Sequence, residues 1–315
     1  MPMITFDQAT VDGSGAFLVG ELERLDQGLN LPLVGYTWTR DIQLREDVSI
    51  ADDISSWTNT SFGAAGTGAN PNGKNWVGKD STAIAGVNVD IGKDGNPLNL
   101  WGMELGWTVI ELKAAEQVGR PIDTQKYEGM QLKWQMDNDE QVYVGDSSLN
   151  LKGLATLNGI QVNNAAKTWA LSTPDEIRAS INQVLSDAWA ASGYSMVPRD
   201  LLIPPEQFAL LSSIIVSSAG NQSLLTYLQT NTISYHQNGV PLNIRAVKWL
   251  KGRGVGGKDR MVAYTNDKKY VRYPQVPLQS VPVQYRGLYQ IVTYYGKLGA
   301  IEPVYKETLS YVDGI

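Results

Sequence analysis

The chain has 315 residues, 43% of them hydrophobic and 18% charged, and a net charge of −6. That length can bury a sizeable core in one large domain or two ordinary ones, and a charged share below the roughly 25% of an average soluble domain leaves much neutral surface suited to interfaces. The absence of cysteine excludes disulfides, thiolate catalysis and Cys-based zinc sites, and an acidic chain is a poor specific binder of nucleic acid, whose affinity depends on neutralising phosphates.

The N-terminus, MPMITFDQAT, shows no basic stretch followed by an apolar core, so no secretory signal is visible and a soluble cytosolic product is expected. Residues 1–45 mix short apolar and polar patches and read as an arm without a core of its own, expected to pack on something else such as a neighbouring subunit. Within it Asn30–Arg40 is extended in character, and Pro32 opposes helix. Ser61–Gly73 is too rich in Gly, Ala and Asn to hold regular structure alone. Strand-like pieces flank it at Asn75–Val77 and at Ala83–Ile91, where Ile84, Val87, Val89 and Ile91 mark the pattern. Asp94-Gly95 signals a tight turn, and Trp101, Met103, Leu105, Trp107 and Val109 then alternate as a half-buried strand. Residues 52–100 therefore predict a long, weakly packed β-hairpin projecting from the body.

Helices follow. The first covers about Thr108–Gln117 and stops near Gly119 and Pro121. The second starts at Asp123 as N-cap and puts Tyr127, Met130 and Trp134 on one face, with Gly129 weakening it by about 1 kcal/mol relative to Ala. Ser172-Thr173-Pro174-Asp175-Glu176 is the clearest helix start, with Thr173 capping, Pro174 in the first turn and Glu176 completing a capping box. Ile177, Ile181, Val184, Leu185 and Trp189 form its buried stripe, and Gly193 ends it. Leu201–Ile203 reads as a short buried strand, Pro205 opens a helix through about Ser212, and a further helix spans about Ser223–Gln229. Strands follow from Asn243. Met261–Tyr264 and Tyr270–Tyr273 flank a polar turn at Thr265–Lys269, and Tyr289–Tyr295 and Ile301–Val312 close the chain. The longest apolar stretch, Phe208–Val216, is too short to span a bilayer.

Motifs of catalysis and cofactor binding fail on inspection. Gly68-x-x-x-x-Gly73-Lys74-Asn75 lacks the Ser or Thr hydroxyl that a phosphate loop needs for Mg²⁺, and a strand rather than a helix follows. Gly252–Gly257 fits GxGxxG by letter but precedes a strand, so a hairpin loop is expected. Asp137, Asp139 and Glu140 suggest a calcium loop, but Val142 stands where the turn needs Gly, and a solvated helix end is the expected alternative. His236 is the only histidine and reads as a surface or interface residue rather than a general base. Asp52 and Asp53 are adjacent and in a strand would point to opposite faces. Lys268–Tyr273 (KKYVRY) suits a phosphate backbone or, equally, a strand with an exposed edge.

Charge and aromatics point instead to association. Residues 1–200 hold 14 Lys/Arg and 26 Asp/Glu, a net −12, whereas residues 201–315 hold 12 and 6, a net +6. Opposite charge in two halves lets neighbouring copies attract head to tail, although plain solvated surface is an equal reading. The 9 Trp and 15 Tyr carry both an apolar face and a polar handle, which suits subunit contacts.

The order of Glu111-Leu112, Ala114-Ala115 and Gly119, then Gly145-Asp146, Gly153-Leu154 and Leu157-Asn158, continues with Asp175-Glu176-Ile177, Leu202-Ile203-Pro204-Pro205 and the ending Tyr311-Val312-Asp313-Gly314-Ile315. This order resembles tailed-bacteriophage major capsid proteins of the Hong Kong 97-like fold. The resemblance implies an α+β fold in parts: an N-terminal arm at 1–45, an extended β-hairpin loop at 46–105, a peripheral domain with a spine helix at 106–170, an axial domain at 171–270, and C-terminal strands at 271–315 returning to the peripheral domain. It implies no catalysis, no cofactor and no metal, but self-assembly as pentamers and hexamers into an icosahedral virion shell around double-stranded DNA, formed in the host bacterial cytoplasm. Portal and decoration proteins are implied partners, DNA is touched non-specifically on the inner face, and no membrane is involved. The short stretch before the arm leads to the expectation that scaffolding comes from a separate protein. Intersubunit contacts are expected at Trp57, Phe62, Lys74, Trp76, Lys79 and Trp101, and some members join a loop Lys to a neighbour's Asn, for which Lys74 and Lys79 lie in the right region. Two alternatives stand beside this reading: an encapsulin-like protein compartment, and a β-rich carbohydrate-binding or glycan-cleaving protein whose Trp and Tyr form sugar platforms.

Overall fold

The computed structural model describes residues 34–64, 79, 87–118, 122–216 and 220–315. The strand-like piece Asn75–Val77, Ile84, the helix stop at Gly119 and Pro121, and residues 1–33 of the arm lie outside the described residues. The described chain opens with a helical turn, α1 (Trp38–Asp41), and a two-residue strand, β1 (Leu44–Arg45). Strands β2 (Ile54–Ala64) and β3 (Val87–Pro97) pair antiparallel along their whole length as a two-stranded ribbon. β4 (Asn99–Thr108) leads into α2 (Val109–Val118) and the 22-residue α3 (Ile122–Tyr143). Then come β5 (Gln161–Asn164), α4 (Pro174–Ala191), β6 (Asp200–Ile203), α5 (Pro205–Ser213), β7 (Ile215–Val216), β8 (Gln222–Ser223), α6 (Leu224–Thr230), α7 (Ile233–Asn238) and β9 (Asn243–Ala246). β10 (Arg260–Tyr264), β11 (Val271–Ser280), β12 (Gln284–Arg286), β13 (Tyr289–Leu298), β14 (Glu302–Pro303) and β15 (Ser310–Asp313) complete the chain.

Local chemistry explains the helix starts. Thr173 Oγ1 accepts from the Glu176 N–H while the Glu176 carboxylate accepts from the Thr173 N–H, the capping box expected from the sequence. An equivalent pair that the sequence reading passed over, Thr108 with Glu111, starts α2 at 3.0 and 2.9 Å. Along α3, Met130, Trp134, Asn138 and Val142 are buried at i, i+4, i+8 and i+12, while Tyr127 stays partly exposed against Tyr294.

α3 lies on a six-stranded sheet in which β13 pairs β4 on one side and β11 and β12 on the other, with β1 and β14 beyond β11. The odd residues of β4 face inward, so Leu105 and Trp107 meet Met130 and Val292. Trp134 rests where a Cβ on Gly296 would come within 2.9 Å of its ring, so the strand has room for the indole only because residue 296 lacks a side chain.

A second sheet runs β5-β15-β10-β6-β9. Leu201, Ile203, Met261, Ala263 and Val312 pack on one face against α4, α5 and α6, and Leu202, Val262, Tyr264 and Tyr311 pack on the other with Val142 and Tyr143 of α3. Both faces are covered, so β6, β10 and β15 are buried at every residue and show no polar alternation. Each fully buried aliphatic side chain there contributes about 1.5–3 kcal/mol.

The turn after α3 brings two backbones together. Gly145 has φ +77, and a Cβ there would lie 2.3 Å from the Leu151 carbonyl oxygen. A Cβ on Gly153 would lie 2.4 Å from the carbonyl carbon of Tyr143, so both positions admit only glycine.

Several expectations are corrected. Asp94 and Gly95 form no turn; they sit within β3 opposite Trp57 and Ser56, because eleven residues of ladder outweigh a local Asp-Gly preference. Gly95 is used there for close approach, since a Cβ would meet Ile54 Cγ2 at 3.0 Å. The extended reading of Asn30–Arg40 gives way to helix at Trp38–Asp41. That end of the arm packs on its own body, with Trp38 and Ile42 buried in the core beside Tyr143 and Tyr273. Ile301–Val312 is not one strand: β14 and β15 join different sheets across a 3-10 turn at Lys306–Thr308. Helix α7 appears where only a polar stretch before a turn was read.

Candidate assembly surfaces

Three buried carboxylates lock the roots of arm and ribbon, and a fourth ties β10 to β15. Asp139 is 1% exposed, not a solvated helix end: Oδ1 accepts from the backbone N–H of Thr37 (2.7 Å) and Trp38 (3.1 Å), and Oδ2 accepts from Trp249 Nε1 (2.6 Å). Asp41, also buried, accepts from Tyr143 Oη (2.5 Å), Arg40 and Arg245. Burial first, and then the Asp41 charge, push the Tyr143 phenol far above its ordinary range, so it stays a proton donor at any working pH. Glu302 binds Arg272 Nε (2.7 Å), Arg45 Nη1 (3.2 Å) and the Ser55 hydroxyl, joining β1, β2, β11 and β14 where the ribbon leaves the body. Arg260 holds Asp313 in a bidentate pair at 2.7 and 2.8 Å. Burial pushes the Asp313 carboxyl up, but the Arg260 bonds and the Val255 N–H outweigh it and hold the group below its ordinary range.

From this root the β2–β3 ribbon carries an apolar surface with no cover among the described residues. Val89 and Ile91 on β3 are 58% and 65% exposed, and the register sets Phe62 opposite Val89. A two-stranded ribbon of this length is marginal alone in water. Of the other expected contact residues, Trp57 lies on the opposite face of the ribbon and is buried within the chain. Trp101 is half-buried, its Nε1 donating to Asp137 (2.9 Å) and its ring set edge-on to Trp134. Lys79 is exposed, while Lys74 and Trp76 lie outside the described residues, as does the phosphate-loop-like stretch at 68–75. Of the six expected contacts only Trp57, Lys79 and Trp101 have described surroundings, and the exposed Val89 and Ile91, read in the sequence only as strand, stand beside them as candidates.

The remaining motifs carry no chemistry. Residues 252–257 form a loop before β10, with Gly254 pressed against the Asp313 side chain. His236 is exposed, its ring set edge-on to that of Tyr235. Lys268–Tyr273 is not an exposed edge: Val271 and Tyr273 are fully buried in β11, which is hydrogen-bonded on both sides, and Arg272 is held by Glu302. Among the described residues no three His, Cys, Asp or Glu side chains converge as metal ligands, and no helix is long and apolar enough to cross a membrane. A hollow of about 670 Å³ borders Trp101, Asp137, Asp146, Lys152 and Arg253 at the end of α3. Two of its carboxylates are already engaged, Asp137 by Trp101 and Lys133 and Asp146 by Ser148.

A body with a clamped ribbon whose apolar face is open among the described residues suits a subunit completed by further contacts. A family model described as "Major capsid protein" matches residues 73–315, and the chain belongs to that family, a family of structural shell proteins. Its role is that of a capsid subunit, located in the virion capsid and assembling from many copies. Solved structures share the fold at low identity. The capsid of Myoviridae phage XM1 matches with TM-score 0.75 and 20% identity, over 94% of this chain and 98% of that one. The capsid of a native GTA particle matches with TM-score 0.64 and 10% identity over 98% and 99%. A structure from Mycobacterium phage Bobi matches with TM-score 0.64 and 11% identity, also over 98% and 99%. No curated protein matches by sequence.

Proposed function

We propose that this chain forms the icosahedral shell around the double-stranded DNA of a tailed phage, as pentamers and hexamers assembled in the host bacterial cytoplasm. The observation that carries the reading is the β2–β3 ribbon, anchored through Glu302 at its root and exposing Val89 and Ile91 along its length. Laid across a neighbour, that face leaves water, and each contact need be only modest because many act together. In this reading residues 1–45 are the arm, 46–105 the extended loop, 106–170 with 271–315 the peripheral part, and 171–270 the axial part that surrounds the capsomer centre. Portal, separate scaffolding and decoration proteins are its further partners, and DNA meets the inner face through non-specific contacts.

Electron microscopy of the purified chain, expressed alone and with neighbouring phage genes, tests the reading. Closed shells or capsomer rings containing DNA are expected, while particles holding a protein cargo would favour a compartment. Deleting Ser61–Gly73 is expected to leave a soluble fold, replacing Val89 and Ile91 with Ser to leave the monomer's stability within about 0.5 kcal/mol, and both to abolish stable shells. Normal shells from both variants would sink the role given to the ribbon.

A further inference from the structure

The five-stranded sheet has two free flanks of opposite character. At the β5 flank a cleft of about 330 Å³ opens between β5 and α4. Short side chains, Ala165, Ala179 and Ser180, leave this space, and buried Trp169 and Val312 line it. The Trp169 indole N–H is buried and has no acceptor among the described residues. A buried donor without a partner is costly, so an incoming carbonyl is worth more here than on open surface. Among the described residues β5 pairs only with β15, and its outer backbone edge is without a strand partner.

At the other flank α5 and α6 pack beside β9, the opposite edge strand. The β7–β8 hairpin joins these two helices and presents Ile215, 65% exposed. The charges differ in the same sense. Residues 161–191 carry Asp175, Glu176 and Asp187 against Lys167 and Arg178, a net −1, whereas residues 205–258 carry five Lys/Arg against Glu206, a net +4.

We propose that these flanks are the two halves of one head-to-tail contact between copies of this chain, with Ile215 of one copy seated in the β5–α4 cleft of the next. The proposal rests on the shell reading and deepens it by naming the contact that closes each ring. The basic flank of one copy faces the acidic flank of its neighbour, which orients the encounter. An apolar knob then fills the hollow beside Trp169, and the hairpin backbone supplies an acceptor for the indole N–H. Because knob and cleft lie on opposite flanks of one sheet, repeating the contact generates rotation, and a rotation that closes gives a ring.

The chain has no cysteine, so engineered thiols report without background. Shells carrying Ser180→Cys and Ile215→Cys together, oxidised and run on a denaturing gel, are expected to give covalent multimers ending at the ring size, with none from either single variant. Shells in which both thiols react with a maleimide yet no multimer forms would overturn the contact. As a second measurement, Ile215→Asp and Ala179→Trp alter exposed positions, so the unassembled chain should melt as the parent does. Each is expected to lower particle yield by about tenfold or more; parental yields from both would also overturn it. If the parent chain forms no particle under any condition, the shell reading fails and this contact with it. Parent shells with unlinked, normally assembling variants refute only the contact.

Discussion

Asp139→Asn isolates what a single buried carboxylate does for the arm root. The substitution keeps volume and shape but replaces one acceptor oxygen with an NH2 group. In the parent, one oxygen serves the Thr37 and Trp38 N–H groups and the other serves Trp249 Nε1, with Lys248 Nζ at 3.5 Å. The amide oxygen can turn to only one of these sides, so the other faces a donor with a donor. Losing a hydrogen bond to a charged acceptor costs about 1.5–3 kcal/mol, and the unmatched buried donor adds to it, for a total of about 2–4 kcal/mol. With a urea dependence of about 3 kcal/mol per molar, the unfolding midpoint of the unassembled chain should fall by about 1 M while the slope stays constant. Cleavage by trypsin after Arg40 should quicken in parallel, since the turn at Trp38–Asp41 loses its tether. Lys248→Ala, which removes a half-exposed partner, should cost less than about 1 kcal/mol. A midpoint for Asp139→Asn indistinguishable from the parent would refute the assignment of Asp139 as the hub of the arm root.

Further outcomes follow from other close contacts. Gly153→Ala must push a methyl group into the backbone of residues 143–145, and a loss of about 3 kcal/mol or more, read as collapse of soluble yield or of the melting temperature, is expected. Asp313→Ala strands the Arg260 guanidinium in a buried site and should destabilise the chain by about 3–5 kcal/mol in urea titration. Glu176, held by Lys167 and then by the Thr173 backbone N–H, has its carboxyl lowered to about 2. A depressed carboxylate contributes stability that is present above its unfolded value near 4.5 and is lost as pH falls through about 2. Carbon-detected NMR should find its midpoint there, and a midpoint near 4.5 would remove the Lys167 bond and the capping box as its causes.

Legibility tracked the distance over which each free energy acts. The α4 start was readable because Thr173, Pro174 and Glu176 satisfy one another within a single turn. The β4 strand was readable because Leu105 and Trp107 alternate toward one face. The Asp94-Gly95 turn failed for the complementary reason: the preference of two residues is small beside a ladder running from Ile54–Pro97 to Ala64–Val87. Asp139 looked solvated because nothing near it in sequence reveals Trp249 or the Thr37 backbone, 110 and 102 residues away.

By itself the sequence determined the capped helices, the half-buried strand, the absence of cysteine chemistry and, through the order of its segments, the family of shell proteins to which the chain belongs. Only the tertiary structure decided that β5 and β15 run parallel at the edge of a sheet buried on both faces, and that Asp41, Asp139 and Glu302 clamp the roots of arm and ribbon. The division is physical. Caps and periodicities are settled by neighbours within a turn or two, whereas the burial of a carboxylate or the partner of an edge strand depends on segments whose meeting is set by closure of the whole core.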